Sequence, residues 1–230
     1  MDSPVQAVQS PYSYGDSYYR TPPPDLPSLL LKERIIYLGL PLFSSDEIKQ
    51  QLGVDVTELI IAQLLYLQYD DPEKPISIYI NSTGTSWYTG DSVGFETEAF
   101  AICDTINYIK PPVHTICLGQ AMGTAAMILS SGTKGCRASL PHATIVLHQA
   151  RTGFRGQATD IQIQAKEVLA NKAAISTIFA KNTGQTPEKV AKDMERMLYM
   201  TPLQAQEYGL IDRVLENAKD LPKAVAALSS

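Results

Sequence analysis

Gly119-Gln120-Ala121-Met122-Gly123-Thr124-Ala125 joins a β-rich run, His114 to Leu118, to an apolar stretch from about Met122 to Leu129 that reads as a short helix. A strand that turns through glycine directly into a helix is a building unit of α/β folds. The same alternation extends outward from it. Upstream, Arg34-Ile35-Ile36-Tyr37-Leu38 reads as a strand, Thr57 to Tyr69 as a helix and Ile76 to Ile80 as a strand, and a further helix ends near Ile109. Downstream, Thr144 to His148 reads as a strand. The pattern predicts an α/β domain with a largely parallel sheet.

The C-terminal third is punctuated as helices. Thr159-Asp160 opens a long amphipathic stretch with Ile163, Leu169, Ile175 and Phe179 among its apolar positions, and Gly184 is placed to end it. Thr186-Pro187 and Thr201-Pro202 each set a capping hydroxyl before a proline in the first helical position, and Gln204 completes a capping-box spacing with Thr201. A last strand is expected over Ile211 to Leu215. The first 28 residues differ from the rest: Pro11, Pro22, Pro23, Pro24 and Pro27 interleave with Tyr12, Tyr14, Tyr18 and Tyr19, which leaves little aliphatic surface to bury. They are expected to form a mobile arm.

Composition narrows the function classes. The 230 residues are 44% hydrophobic with no apolar run long enough to span a bilayer, which suits one domain with a sizeable core and no membrane partner. A net charge of -5 without a local Lys/Arg cluster argues against nucleic acid. Cys103, Cys117 and Cys136 show neither CxxC spacing nor nearby histidine pairs and read as reduced thiols. His114, His142 and His148 lack ligand-type spacing, so neither a metal nor a cofactor is expected. Gly132-Thr133-Lys134-Gly135 lacks the spacing of a phosphate loop. No secretory or transit segment is evident, and the expected location is the cytoplasm.

A resemblance emerges from words that stand in order along the chain: Leu31-Lys32-Glu33-Arg34-Ile35-Ile36, Pro72-Glu73-Lys74, Tyr79-Ile80-Asn81-Ser82, Gly119-Gln120-Ala121, His148-Gln149, Gly156-Gln157-Ala158-Thr159-Asp160 and Glu207-Tyr208-Gly209-Leu210. From about Leu29 to Glu216 the chain is similar to the ClpP family of serine peptidases. The resemblance implies a ClpP/crotonase-like spiral of ββα units with a protruding handle helix, assembling into heptameric rings around a closed chamber. It sets the domain at 29–216, between the arm at 1–28 and a tail at 217–230.

Serine peptidase chemistry needs a hydroxyl nucleophile, an imidazole to take its proton and a carboxylate to orient the imidazole. Where the family places these, this chain has Gly123, His148 and Met197. Glycine cannot attack a carbonyl, and a thioether is a poor acceptor for an imidazole N–H. An oxyanion hole needs fixed backbone N–H donors. Thr85 stands where the family has a glycine donor, in Asn81-Ser82-Thr83-Gly84-Thr85, and a β-branched residue resists positive φ. Compared with the family, extra residues follow within Ser86 to Phe95 and are expected to sit beside the former catalytic groove and partly fill it.

These departures resemble the ClpR-type subunits, ClpP-like proteins without peptidase residues. That resemblance implies mixed heptameric rings with active ClpP-type subunits, a hexameric AAA+ Clp chaperone as partner, and unfolded protein substrates in the chamber. Tyr79, Tyr108, Ile116 and Leu118 match positions lining the chaperone-docking clefts, and Ser77 stands where an aromatic is usual. Arg155, Gln157 and Asp160 fall in the segment where two rings meet. The proline-rich arm would shape the axial entrance or be a tail without a role. Two other classes stay open: a hydrolase using an unconventional nucleophile such as Thr124, and a crotonase-type acyl-CoA enzyme. A threonine one step along a helix from Gly123 is turned by about 100° and is not expected to reach His148. Ser130 and Ser131 read as capping or turn residues.

Overall fold

A computed structural model describes residues 25–44, 55–87, 92–149 and 156–217 of the chain. Its sheet is organised by a strand that forks. β1 (Ile35–Leu38), β2 (Ile76–Ser82) and β3 (Val113–Met122) run parallel and adjacent. The first half of β3, Thr115 to Cys117, pairs in parallel with β4 (Arg137–Ser139), whereas its second half, Gln120 to Met122, pairs in parallel with β5 (Thr144–Leu147). β6 (Leu198–Met200) lies antiparallel on β5, and β7 (Arg213–Val214) extends the sheet beyond β4. The sheet is therefore largely parallel, with β6 reversed.

Period-two alternation in β3 explains its two environments. Val113 and Cys117 join the main core, while Ile116, on the opposite face, joins a smaller cluster with Ala138 and Leu215. The main core is filled by α2 (Val56–Asp70), α3 (Glu96–Tyr108) and α4 (Thr124–Ser130). Every residue of α4 is buried, including Met127, Ile128 and Leu129, each side chain of which stabilises by about 1.5–3 kcal/mol on leaving water. α4 begins at Thr124 because β3 runs on through Met122, so the helix predicted from Met122 starts two residues later. The expected final strand narrows to Arg213–Val214, and the expected strand through His148 ends at Leu147.

Arg34 is not the first residue of a strand. It holds φ +58°, and its buried guanidinium donates to the carbonyls of Leu67, Asp71, Lys74 and Pro75 while pairing with Asp70 at 3.0 Å. The Asp71 acceptor is an orphan carbonyl at the end of α2, where a cation is favoured, and Leu67 O shares the guanidinium with the Asp71 N–H. α1 (Leu26–Lys32) leads into this residue and starts within the segment read as an arm.

The C-terminal helices follow their punctuation. α5 (Ala158–Thr183) ends at Gly184 in the left-handed conformation, and α6 (Pro187–Asp193) and α7 (Pro202–Tyr208) start behind Thr186 and Thr201, the latter with a complete capping box. The predicted apolar stripe of α5 divides in two. Ile175 and Phe179 enter the core, whereas Ile163 and Leu169 stay exposed on an N-terminal half in which no residue is fully buried by the described residues. Among the described residues no helix is long and apolar enough to cross a membrane.

Candidate functional site

The turn between β3 and α4 carries the centre. Gly123 holds φ +52° and ψ -112°, its N–H donates to Val146 O at 2.8 Å, and its carbonyl accepts from Met127 N at 3.1 Å. Those two bonds fix the turn between β5 and the first turn of α4. His148 follows β5 and lays its ring into the space in front of Gly123. A Cβ at Gly123 would stand 2.5 Å from His148 Nε2 and 2.8 Å from Cε1, well inside contact distance. The imidazole thus occupies the volume a side chain at 123 would need.

The proton on that imidazole is placed by its neighbour. His148 Nδ1 lies 2.9 Å from the Gln149 carbonyl oxygen. A carbonyl only accepts, so the neutral ring carries its hydrogen on Nδ1 and leaves Nε2 as an acceptor. Nε2 is buried and has no hydrogen-bond partner among the described residues. A backbone amide dipole therefore does the orienting that a carboxylate does in a triad, without a negative charge to stabilise an imidazolium. Met197 cannot supply that charge. The β5–β6 register ends at Leu147↔Leu198, so Met197 and His148 each flank the last pair, and the Met197 thioether accepts from Tyr199 Oη at 3.4 Å.

On the other side of the turn, Thr85 N–H donates to Thr124 Oγ1 at 2.9 Å, and the two hydroxyl oxygens lie 3.2 Å apart. Both residues are buried. The N–H at the position of an oxyanion donor is thus already satisfied, and the Thr124 hydroxyl is directed at Thr85 rather than held ready against His148. The positive φ of this loop falls on Gly84, at +68°, and not on Thr85, so the anticipated conflict between a β-branched side chain and a left-handed backbone does not arise. A Cβ at Gly84 would meet Thr124 Oγ1, which is how the two loops approach closely enough to bond. Replacing Thr124 by valine is expected to leave the Thr85 N–H buried without an acceptor and to destabilise the fold by about 1–3 kcal/mol, with serine at this position retaining most of the stability. Urea denaturation of both variants checks this.

The longer connection is stitched to the same residue. Thr85 O accepts from Val93 N at 2.9 Å and Gly94 N at 3.2 Å, and Ser86 and Ser92 form an antiparallel bridge. Trp87 packs edge-on against Phe43 with ring centroids 5.7 Å apart. Ser44 Oγ accepts from Phe95 N and donates to Glu98. Residues 88–91 of this connection lie outside the described residues. Beside the centre, Asn81, Gly119, Gln120, Met122, Val146 and Tyr199 border an open depression of about 450 Å³.

The expected docking residues separate. Tyr79, Ile116 and Leu118 come together with Leu140 and Leu215 around a pocket of about 300 Å³, in which Tyr79 sits beside Ile116 across the β2–β3 pair. Tyr108 does not line it; it stands 77% exposed at the end of α3. Ser77 is buried beside His114 on the neighbouring strand. Gln157 stands at the N-cap position of the exposed half of α5 without a side-chain capping bond, Asp160 lies in its first turn, and Arg155 is outside the described residues. Ser130 and Ser131 both donate to Met127 O and accept from Asn182, as end-of-helix hydroxyls. Burial pushes the Cys103 and Cys117 thiols up to about 12, which leaves them protonated and unreactive at neutral pH. Among the described residues no group of His, Cys, Asp and Glu is disposed to hold a metal.

Two contacts were absent from the sequence argument: the Gln149 carbonyl on His148 and the Thr124 hydroxyl on Thr85. The second had a signal, because a threonine just after a glycine turn tends to bond nearby backbone. The first had none.

Comparison with known sequences places this geometry. The Clp protease family profile matches residues 24–218. A protein of Synechococcus elongatus described as ATP-dependent Clp protease proteolytic subunit-like is 76% identical over 225 residues, 98% of each chain. The ATP-dependent Clp protease proteolytic subunit 2 of Gloeobacter violaceus is 50% identical over 221 residues, covering 96% of this chain and 93% of that one. Proteolytic subunit-related protein 4 of Arabidopsis thaliana, a chloroplastic protein, is 47% identical over 215 residues, covering 94% of this chain and 67% of its relative.

Proposed function

The chain belongs to the Clp protease family, and from that premise we propose that it is a ClpR-type subunit: a non-catalytic member of the proteolytic core that forms mixed heptameric rings with active ClpP-type subunits. One observation carries the proposal. The volume in front of Gly123 that a nucleophile's side chain would take is filled by the His148 ring. The satisfied Thr85 N–H and the uncharged Met197 thioether, flanking the last β5–β6 pair beside His148, support it from two further sides.

In this reading the subunit contributes wall rather than chemistry. The exposed half of α5, with Gln157 and Asp160 at its start and Ile163 and Leu169 along it, serves as the handle that meets the opposite ring. The pocket at Tyr79, Ile116 and Leu118 takes part in docking a hexameric AAA+ Clp chaperone, with Tyr108 and the following subunit as its outer wall. Unfolded polypeptides enter the chamber and are cut by the active neighbours. The connection at 86–95 narrows the old groove by its bonds to Thr85. A Thr124 nucleophile gains no support, because that hydroxyl is engaged with Thr85. A crotonase-type thioester site would need the Thr85 N–H free as a donor.

The test is labelling combined with assembly. The purified chain alone is expected to take up no fluorophosphonate probe and to cleave no peptide ester. Co-expressed with an active ClpP-type subunit, it is expected to appear in mixed rings by native mass spectrometry. A homogeneous oligomer of this chain that labels and cleaves would overturn the proposal.

A further inference from the structure

Three helices end at one place. α3 closes at Tyr108, α4 at Ser130 and α5 at Thr183, and Ile109, Ser131 and Asn182 line a pocket of about 480 Å³ where these ends meet. Lys110, Lys134 and Lys181, each from a different segment, stand around it, and among the described residues no carboxylate lines it. All three lysines are exposed, and none of their ammonium groups makes an ion pair or hydrogen bond among the described residues.

The simplest reason for lysines here would be to offset the negative ends of the helices. At the ends of α4 and α5 that need is met from elsewhere. Arg137 Nη1 donates to Asn182 O at 2.9 Å and to Ser130 O at 3.3 Å, and the Ser130 and Ser131 hydroxyls satisfy Met127 O. Even without Arg137, three helix ends amount to about -1.5 charges against three full positive ones, which leaves about +1.5. This surplus sits on a chain whose net charge is -5. Thr133 Oγ1 accepts from Val113 N–H at 2.9 Å, so its own proton remains for a ligand oxygen.

We propose that this pocket binds a small polyanion of the phosphate class, held by Lys110, Lys134 and Lys181. Cations on three separate segments around one cavity suit a short chain of phosphates better than a single ion. The site lies at the far end of α4 from Gly123, and it does not depend on the catalytic silence proposed above.

Calorimetric titration of the full chain with sodium tripolyphosphate at low salt tests it. The parent is expected to bind, with affinity falling as salt rises. The triple variant Lys110→Gln, Lys134→Gln, Lys181→Gln is expected to bind at least about tenfold more weakly, since its charge-assisted contacts are gone. Because the three side chains are exposed and unpaired, that variant should melt at the parent's temperature when no ligand is present. Lys74→Gln, which removes a lysine paired with Asp71 elsewhere, is expected to leave binding unchanged. No heat with the parent, or undiminished binding by the triple variant, would overturn the proposal. So would an acidic peptide of equal charge that binds this pocket more tightly than tripolyphosphate does.

Discussion

Gly123→Ser is expected to gain no peptidase activity and to lower the stability of the chain. Its Cβ would stand 2.5 Å from Nε2 and 2.8 Å from Cε1 of a ring held by the Gln149 carbonyl. Relief requires the ring to swing away and give up that hydrogen bond, or the turn to move against its bonds to Val146 and Met127. A non-glycine residue at φ +52° adds about 1–3 kcal/mol of backbone strain by itself. The total expected loss is about 2–4 kcal/mol, read by urea or thermal denaturation. His148→Ala in the same background should recover the steric part and leave the backbone part, so a double-mutant cycle apportions the two. Adding Met197→Asp would restore the carboxylate without freeing the Thr85 N–H, which stays bonded to Thr124. Fluorophosphonate labelling of the introduced hydroxyl in the single variant would show that the ring yields more easily than this geometry implies.

Asp212→Asn is the second large effect. Arg137 is 5% exposed and pairs both nitrogens of its fork with Asp212, Nη2 to Oδ1 at 2.7 Å and Nε to Oδ2 at 3.0 Å. Gly135 N and Arg137 N also donate to Oδ2. The arrangement ties β4 and the loop before β7 to the ends of α4 and α5 through Ser130 O and Asn182 O. Removing one partner leaves a buried guanidinium without its counter-charge, which costs about 3–5 kcal/mol. The low end, about 3 kcal/mol, is expected because Asp212 keeps 21% exposure.

The same pair sets an acid-side dependence. Burial alone would raise the Asp212 pKa, but the Arg137 ion pair and the N–H donors outweigh it and hold the carboxyl below its ordinary 3.8. A group depressed in the folded state stabilises above its unfolded pKa, and that contribution disappears as pH falls through the folded one. Parent and Asp212→Asn should therefore differ fully at neutral pH. The gap should begin to close as pH falls below the ordinary value and be lost below the depressed one. An equal gap at all pH values would contradict this assignment.

Much of the architecture was legible because it depends on near neighbours in sequence. The capping box at Thr201 and Gln204, the glycine stop at Gly184 and the apolar content of α4 act within a turn or two, so their residues announce them. β4 and β6 did not announce themselves. Each is three residues long and exists because a longer strand offers it an edge, β3 in one case and β5 in the other. Arg34 departs from the strand reading for a similar reason: its guanidinium is held by carbonyls more than thirty residues away.

At the centre the division is sharper. That Gly123 has no hydroxyl and Met197 no carboxylate is a property of the residues themselves and holds in any fold. That the His148 ring fills the space in front of Gly123, and that Thr124 consumes the Thr85 N–H, were decided only when β3, β5 and the loop after β2 came together. Side-chain identity is a local chemical fact. Occupied volume and hydrogen-bond partnership are here relations between residues 25 and 39 positions apart, 123 with 148 and 85 with 124, and only packing brings them within reach.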